Sequence, residues 1–195
     1  MSITERISDI TAMAMTKFFR FFADLFFARR YGHRAVVLET IAGVPGMVAG
    51  MWIHLKSLRS AKPGYGPMIR ELLAEAENER MHLMFFIEIA KPNWFERLLI
   101  VTAQLIFFIF YMFMYIFFTR TAHKMIAYFE EEAVRSYTTY LEMINNNQIP
   151  NVHAPELAIQ YYGLSRDARL TDMIKKVRDD EAGHAAANHK FSKKY

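Results

Sequence analysis

Glu79-Arg80-Met81-His82, in the middle of the chain, and Glu181-Ala182-Gly183-His184, near its end, share one pattern, Glu-x-x-His. Residues three apart lie on one face of a helix, so each pair can aim a carboxylate and an imidazole at a single point. Each pair is half of a metal site. A further Glu precedes each: Glu39 before the first, and one of Glu130, Glu131 and Glu132 before the second. Four helices suffice to hold the set, two offering a lone Glu and two offering Glu-x-x-His.

With 14 Glu and 7 His in the chain, chance alone supplies about half a Glu-x-x-His, so the motif needs support from its setting. The surrounding segments give that support, because they read as helices and repeat the same helix-pair order twice. A Glu from each of two helices plus Glu-x-x-His from each of two others is the ligand arithmetic of the ferritin-like di-iron carboxylate bundles. The predicted fold is all-α: a ferritin-like four-helix bundle with two additional helices forming a monotopic membrane-binding surface.

The 195 residues read as one domain, 1–195, long enough for a substantial core, and the 53% hydrophobic content, with 17 Phe and 13 Met, exceeds that of most soluble chains. Such a composition points to lipid. The net charge of +4 is mild and comes with no compact basic motif or nucleic-acid signature; it reads as attraction to an anionic membrane surface, with no nucleic-acid partner. Without Cys there is no disulfide, thiolate metal site or cysteine nucleophile, so metal ligands must be oxygen and nitrogen.

Residues 1–30 carry no evident cleavable secretory signal. Phe18, Phe22, Leu25 and Phe26, widened by Phe19, Phe21 and Phe27 and flanked by Lys17, Arg20, Arg29 and Arg30, form an aromatic, basic helix suited to a bilayer interface; an ordinary core helix is the alternative. The bundle occupies 31–195. Its first helix, 31–59, places Glu39 in the apolar run Val36-Val37-Leu38-Glu39-Thr40-Ile41, where a lone carboxylate is costly unless paired or metal-bound. Pro45 predicts a kink among small residues that invite close helix approach, Gly43, Gly46 and Gly50. After a turn at 61–67, a helix over 69–90 carries Glu71, Glu75, Glu79 and His82. Most of its acids read as solvated, while Met68, Leu72, Leu83, Phe86 and Ile89 form an apolar stripe beside Glu79 and His82.

The segment 98–118 is nearly uninterrupted in apolar residues and long enough to cross a bilayer. If it crossed, Glu79 and His82 would lie roughly 30 Å from Glu181 and His184, and no single metal site could form. Gln104, Tyr111, Tyr115, Thr119 and His123 also give it a polar edge on one drifting face. The prediction is a segment partly buried in the protein and partly dipped into one leaflet. Helical pattern continues without Gly or Pro to Asn145. Within it Glu130 shares a stripe with His123 and Tyr137 and is the inward-facing candidate, Glu131 being read as solvated. A loop with a short helical stretch, 155–162, leads to a last helix from Asp167 that carries Asp180, Glu181 and His184.

Leu38-Glu39-Thr40, Asn78-Glu79-Arg80-Met81-His82-Leu83, Phe129-Glu130-Glu131-Glu132-Ala133 and Arg178-Asp179-Asp180-Glu181-Ala182-Gly183-His184, in this order, resemble the four signature motifs of the alternative oxidases, membrane-bound di-iron quinol oxidases insensitive to cyanide. The likeness covers residues 30 to 190 or so. It implies two iron ions bound by Glu39, Glu79, His82, Glu130, Glu181 and His184, and a redox-active tyrosine at Tyr137. It further implies hydrogen-bonded residues behind the ligands at Asn78, His123, Tyr161 and Asp180, and a ubiquinol pocket at Arg34, Leu38, Glu132 and Ser136. Arg34 and Glu132 can equally form a structural salt bridge, and Tyr137 can be a core tyrosine bonded to a ligand. Phe129, Asp179, Gly183 and Tyr162 depart from the usual Leu, Ala, His and Trp, and Ser136 stands where Thr is frequent; none of these removes a ligand. The regulatory Cys of plant relatives has no counterpart here.

By the same resemblance, the activity is ubiquinol oxidation coupled to four-electron reduction of O2 to water, cyanide-resistant and without proton pumping. The enzyme is then a homodimer seated in one leaflet, the protein supplying geometry, burial and proton routes. With no long transit peptide evident, the cytoplasmic face of a bacterial inner membrane is expected; a trimmed mature chain would suit the matrix face of the mitochondrial inner membrane. Two rivals use similar ligands. A di-iron hydroxylase of quinone biosynthesis would yield a hydroxylated ring, and an iron-storage bundle would take up iron without needing quinol.

Overall fold

The computed structural model describes residues 3–27, 30–61 and 67–195, and these form seven helices and no strand. They are α1 (Ile3–Phe27), α2 (Tyr31–Ser60), α3 (Pro67–Ala90), α4 (Trp94–Phe117), α5 (Thr119–Asn145), the short α6 (Glu156–Tyr162) and α7 (Leu170–Ser192). The side chains of Phe26 and Phe27, Arg29, and the 62–66 part of the expected turn lie outside the described residues.

Helices α2, α3, α5 and α7 form a four-helix bundle in which α2 packs chiefly on α3 and α5 on α7. Small residues set the first pairing: a Cβ at Gly46 would lie 2.3 Å from the Leu72 carbonyl oxygen, so glycine is what lets α2 approach α3 so closely. Helix α2 runs unbroken through Pro45. Each bundle helix feeds two apolar cores. One gathers Val36, Phe86, Tyr137 and Val177, the other Val48, Leu72, Met125 and Phe191. In every one of the four helices the candidate ligands fall between these two sets, so the site sits at the junction of two packed cores.

Helices α1 and α4 lie outside the bundle, α1 mainly on α5 and α4 on α2 and α5. They meet through Phe19, whose ring is 5.5 Å from that of Phe107 and 5.4 Å from that of Phe110. Polar contacts fix α1 in place: Ser8 with Thr121 (2.8 Å), Arg120 donating to Glu5 (2.6 Å) and Tyr128 donating to Asp9 (2.6 Å). Their outer faces expose Phe18, Phe21, Phe22 and Leu25 on α1, and Leu98, Val101, Leu105, Ile109 and Phe113 on α4. An apolar face this continuous marks an interaction surface, and the two helices fit a membrane-binding one. By length and composition α2 and α4 could each cross a membrane, but α2 is mostly buried in the bundle and α4 lies along it with one side exposed.

Two local expectations are corrected. The helical pattern does not run on from 98–118 to Asn145; it breaks at Phe118 (φ −139°, ψ 48°). The break needs neither Gly nor Pro, because the Phe118 N–H still reaches the Met114 carbonyl while its own carbonyl accepts from Ala122. Helix α7 starts at Leu170 rather than Asp167, since Asp172 accepts from the Arg169 N–H (2.9 Å) and caps the helix there. Glu131, read as solvated, is partly exposed and pairs with His189 at the surface (2.8 Å).

Candidate metal centre

Within α3 and α7 one helical turn sets each Glu beside its His, and the two pairs face each other and the lone acids, Glu39 of α2 and Glu130 of α5. Glu39, Glu79, His82, Glu130 and Glu181 are all no more than 4% exposed. Ligand atoms of Glu39, Glu79, His82 and Glu181 lie within 4.8 Å of one another, as do those of Glu79, Glu130, Glu181 and His184. Glu79 and Glu181 belong to both groups. The arrangement therefore offers two adjacent metal positions with two shared carboxylates, which the Glu-x-x-His spacing by itself does not reveal.

Only one of the close approaches is a hydrogen bond, that of His82 Nδ1 with Glu39 Oε2. His82 Nδ1 is 3.2 Å from both Glu39 Oε2 and Glu181 Oε1 and 3.8 Å from Glu79 Oε2. His184 Nδ1 is 2.7 Å from Glu79 Oε1 and 3.9 Å from Glu181 Oε2. Yet both oxygens of Glu79, both of Glu181 and His184 Nδ1 lack a hydrogen bond. Buried acceptors aimed at a common point rather than at donors are costly unless a cation lies among them. Four carboxylates carry four negative charges, which two divalent ions balance, and an oxygen and imidazole donor set suits iron among other transition metals. The residues present fit a pair of metal ions. Their electrostatics agree. Burial, then Glu181 and Glu79, push Glu39 and Glu130 well above the ordinary carboxylate range. Burial works against ionisation at Glu79 too, but His184 and His82 overcome it and hold Glu79 low.

Behind the ligands, His82 Nε2 lies 2.8 Å from the Tyr162 hydroxyl and 3.2 Å from Asp180 Oδ2. Tyr162 donates its proton to Asp180 (2.7 Å), so its oxygen accepts from the His82 Nε2–H and Nδ1 is the nitrogen turned toward the carboxylates, the one that could take a metal. Asn78 donates to Asp180 (3.1 Å) and to Tyr161 (2.9 Å). Tyr161 thus stands one step further from His82 than Tyr162, whose hydroxyl replaces it as the direct partner. His123 is more remote than expected: its Nδ1 is 2.9 Å from Asn188 Oδ1, and Asn188 donates to the His184 carbonyl (3.1 Å) and to Glu75 (3.1 Å). Glu75, read as solvated, is largely buried, and burial above all pushes its carboxyl up to about 7. Tyr137 donates to Glu39 and stacks on Phe86 with ring centres 5.6 Å apart.

A cavity of about 490 Å³ extends from Phe18, Phe22, Leu99 and Ile106, on the apolar face of α1 and α4, to Glu39, Glu130 and Glu181. Arg34, Leu38 and Glu132 line it and Ser136 does not. Arg34 and Glu132 form no pair with each other: Arg34 binds Asp24, and Glu132 binds Arg20 and Arg135. Arg20 and Asp24, spaced four apart on α1 and 3.5 Å from each other, were unread as site residues; charge inside an otherwise aromatic stretch was the signal.

A family model described as alternative oxidase matches residues 2–193. The chain belongs to the alternative oxidase family. It is 52% identical to the mitochondrial ubiquinol oxidase of Batrachochytrium dendrobatidis, over 95% of this chain and 58% of that one. It is 50% identical to ubiquinol oxidase 1c of Arabidopsis thaliana, over 96% and 56%, and 49% identical to ubiquinol oxidase 2 of Glycine max, over 96% and 56%. The chain spans a little over half the length of the curated relatives it matches. This member of the alternative oxidase family departs from the usual residues at Phe129, Tyr162, Asp179 and Gly183. Phe129 packs against Phe19 and Phe107 at the cavity wall, ring centres 5.8 and 6.0 Å away. Tyr162 keeps a donor beside Asp180. Asp179 is exposed next to Arg178. Nothing in the structure explains Gly183, where a Cβ would meet no atom within 4 Å.

Proposed function

We propose that this chain is the catalytic part of a membrane-bound ubiquinol oxidase, and that the cavity joining the apolar α1–α4 face to Glu39, Glu130 and Glu181 is where the quinol is oxidised. That continuity carries the reading. A long-tailed quinol could pass from lipid to the ligands without entering water, its tail along Phe18, Phe22 and Ile106 and its head among Arg34, Leu38, Glu132 and the ligand carboxylates. Pockets of this size, mostly apolar with a few converging polar groups, suit such a molecule.

Two irons held by Glu39, Glu79, His82, Glu130, Glu181 and His184 would store electrons and reduce O2 to water. The chain's own residues bind, orient and move protons. Asp180 and Tyr162, with Asn78 behind them, hold His82 in its metal-binding tautomer. Tyr137 keeps a proton against Glu39. Arg20 and Asp24 tie Glu132 and Arg34 to α1, so Glu132 and Arg34 are held at the cavity wall without contacting each other.

In this reading α1 and α4 lie in one leaflet, the bundle and α1 act as one domain, and all chemistry falls on one side, so no proton is pumped. The enzyme is a homodimer on the cytoplasmic face of a bacterial inner membrane or the matrix face of the mitochondrial one. The test is oxygen uptake by membranes carrying the protein, supplied with short-chain ubiquinol and cyanide, beside Glu130→Ala. Cyanide-resistant uptake that yields water and disappears in the variant is expected. A hydroxylated quinone ring as product, or iron uptake indifferent to quinol, would overturn it.

A further inference from the structure

One to two turns past the cavity along α4, the polar edge of that helix meets α3, α5 and α7 in a cluster that the function above leaves unused. Tyr111, Tyr115 and His123 are at most 1% exposed. Neither tyrosine hydroxyl has a hydrogen-bond partner, nor does His123 Nε2, nor Glu75 Oε1. Ring contacts and one amide string the four groups together. Ring centres of Tyr111 and Tyr115 are 6.1 Å apart, those of Tyr115 and His123 5.3 Å, and Asn188 links His123 to Glu75 by contacts of 2.9 and 3.1 Å. The Asn188 amide donates to Glu75 and to the His184 carbonyl, so its oxygen accepts from His123 Nδ1–H. His123 Nε2 is thereby a bare acceptor with nothing to accept from.

Four unsatisfied polar atoms in one buried place are rare unless water serves them. Here a water finds both donors and acceptors, two phenols, a carboxylate and an imidazole nitrogen. The cluster also has two ends. Tyr195, 49% exposed, stacks on His123 with ring centres 5.9 Å apart. At the other end Glu75 lies one helical turn before the ligand Glu79 on α3, on the same face.

We propose that Glu75, Tyr111, Tyr115 and His123 enclose a file of ordered water that carries protons between the surface at Tyr195 and the carboxylates of the metal centre. The proton role rests on the oxidase function; the water does not. Two quinols release four electrons and four protons, and one O2 takes up four of each to give two waters. The file adds no reactant. It supplies protons to the centre while those of the quinol leave through the cavity, and the sum is unchanged.

The test pairs a crystal structure of the iron-loaded protein with turnover of Glu75→Gln and Tyr111→Phe in H2O and D2O. Water bonded to the Tyr111 and Tyr115 hydroxyls and to Glu75 is expected. With iron content and quinol KM unchanged, Glu75→Gln should lose turnover on the order of 100-fold, the low end of what a positioned proton carrier contributes, with a larger solvent isotope effect than the parent. Tyr111→Phe should lose less and show the same enlarged isotope effect. A dry cluster overturns the proposal outright. Ordered water with parental turnover and isotope effect in both variants overturns the proton route. A parent that oxidises no quinol defeats the oxidase function and the proton role together, while the occupancy of the cluster still decides the water file.

Discussion

His82 and His184 occupy the same place in the same motif and live in different surroundings. His82 is fully buried, and its outer nitrogen is engaged by Tyr162 and Asp180, themselves tied to Asn78. The His184 side chain keeps 12% of its surface exposed, and the neighbouring Asn188 engages its backbone carbonyl rather than its ring. Burial opposes protonation of both rings. Around His82 the acids Asp180, Glu181, Glu39 and Glu79 outweigh it, and around His184 Glu79 and Glu181 hold the ring up at about 9. A repeated sequence motif therefore places two candidate ligands in unequal surroundings. One ring is held from behind, and the other is partly open to solvent. The shared pair, Glu79 and Glu181, is what couples them.

The sharpest way to break the comparison is to remove a shared ligand. Glu181→Ala strips a carboxylate from both groups of ligand atoms, so both metals and all turnover should go. Glu39→Ala and Glu130→Ala each touch one group, and each should retain one metal while losing turnover. Metal content per chain, measured beside far-ultraviolet circular dichroism to confirm the helices, separates the cases; equal metal loss in all three variants would mean that Glu181 is not shared.

A smaller effect tests the lock itself. Asp180→Asn keeps the size of the side chain and removes the charge that fixes the His82 tautomer. Outer partners of metal-binding histidines are worth roughly 10–100-fold in metal affinity, and the loss should fall on the position nearer His82. Asn188→Ala should weaken metal binding much less, since it contacts His184 only at the backbone. Competition with a chelator, read by titration calorimetry, gives the two affinities; similar losses in the two variants would erase the distinction between the rings.

How much of this was readable beforehand follows from how local each feature is. The ligands were legible because Glu-x-x-His is a one-turn relation, and Glu39 because a carboxylate amid Val36, Val37 and Ile41 needs a partner. Glu130 could be chosen over its neighbours from its stripe with His123 and Tyr137. What depends on another helix was not legible. Glu75 looks solvated until α7 brings Asn188 against it. Arg34 and Glu132 look like a pair until α1 supplies Asp24 and Arg20. The break at Phe118 leaves no Gly or Pro to announce it, because the backbone hydrogen bonds on either side survive. Tyr162 was visible as a departure, but its role needs the fold of 145–170 to bring it onto His82.

The smallest expected effect concerns the residues inside the two motifs. In the first, Arg80 and Met81 fill the turn, and Arg80 is paired with Glu77 at 2.7 Å. In the second, Gly183 sits within α7 with open space where a side chain would be. A glycine inside a helix costs about 1 kcal/mol against alanine, because the unfolded chain has more conformations to lose. Gly183→Ala should then raise the melting temperature by about 2–4 °C and leave metal content unchanged, since the added methyl meets nothing. Calorimetric melting of parent and variant decides it. A fall in melting temperature would mean that the surface beside His184 is occupied by something else, a quinol, lipid or second copy of the chain, and that the openness of this position, rather than the helix, is what the glycine serves.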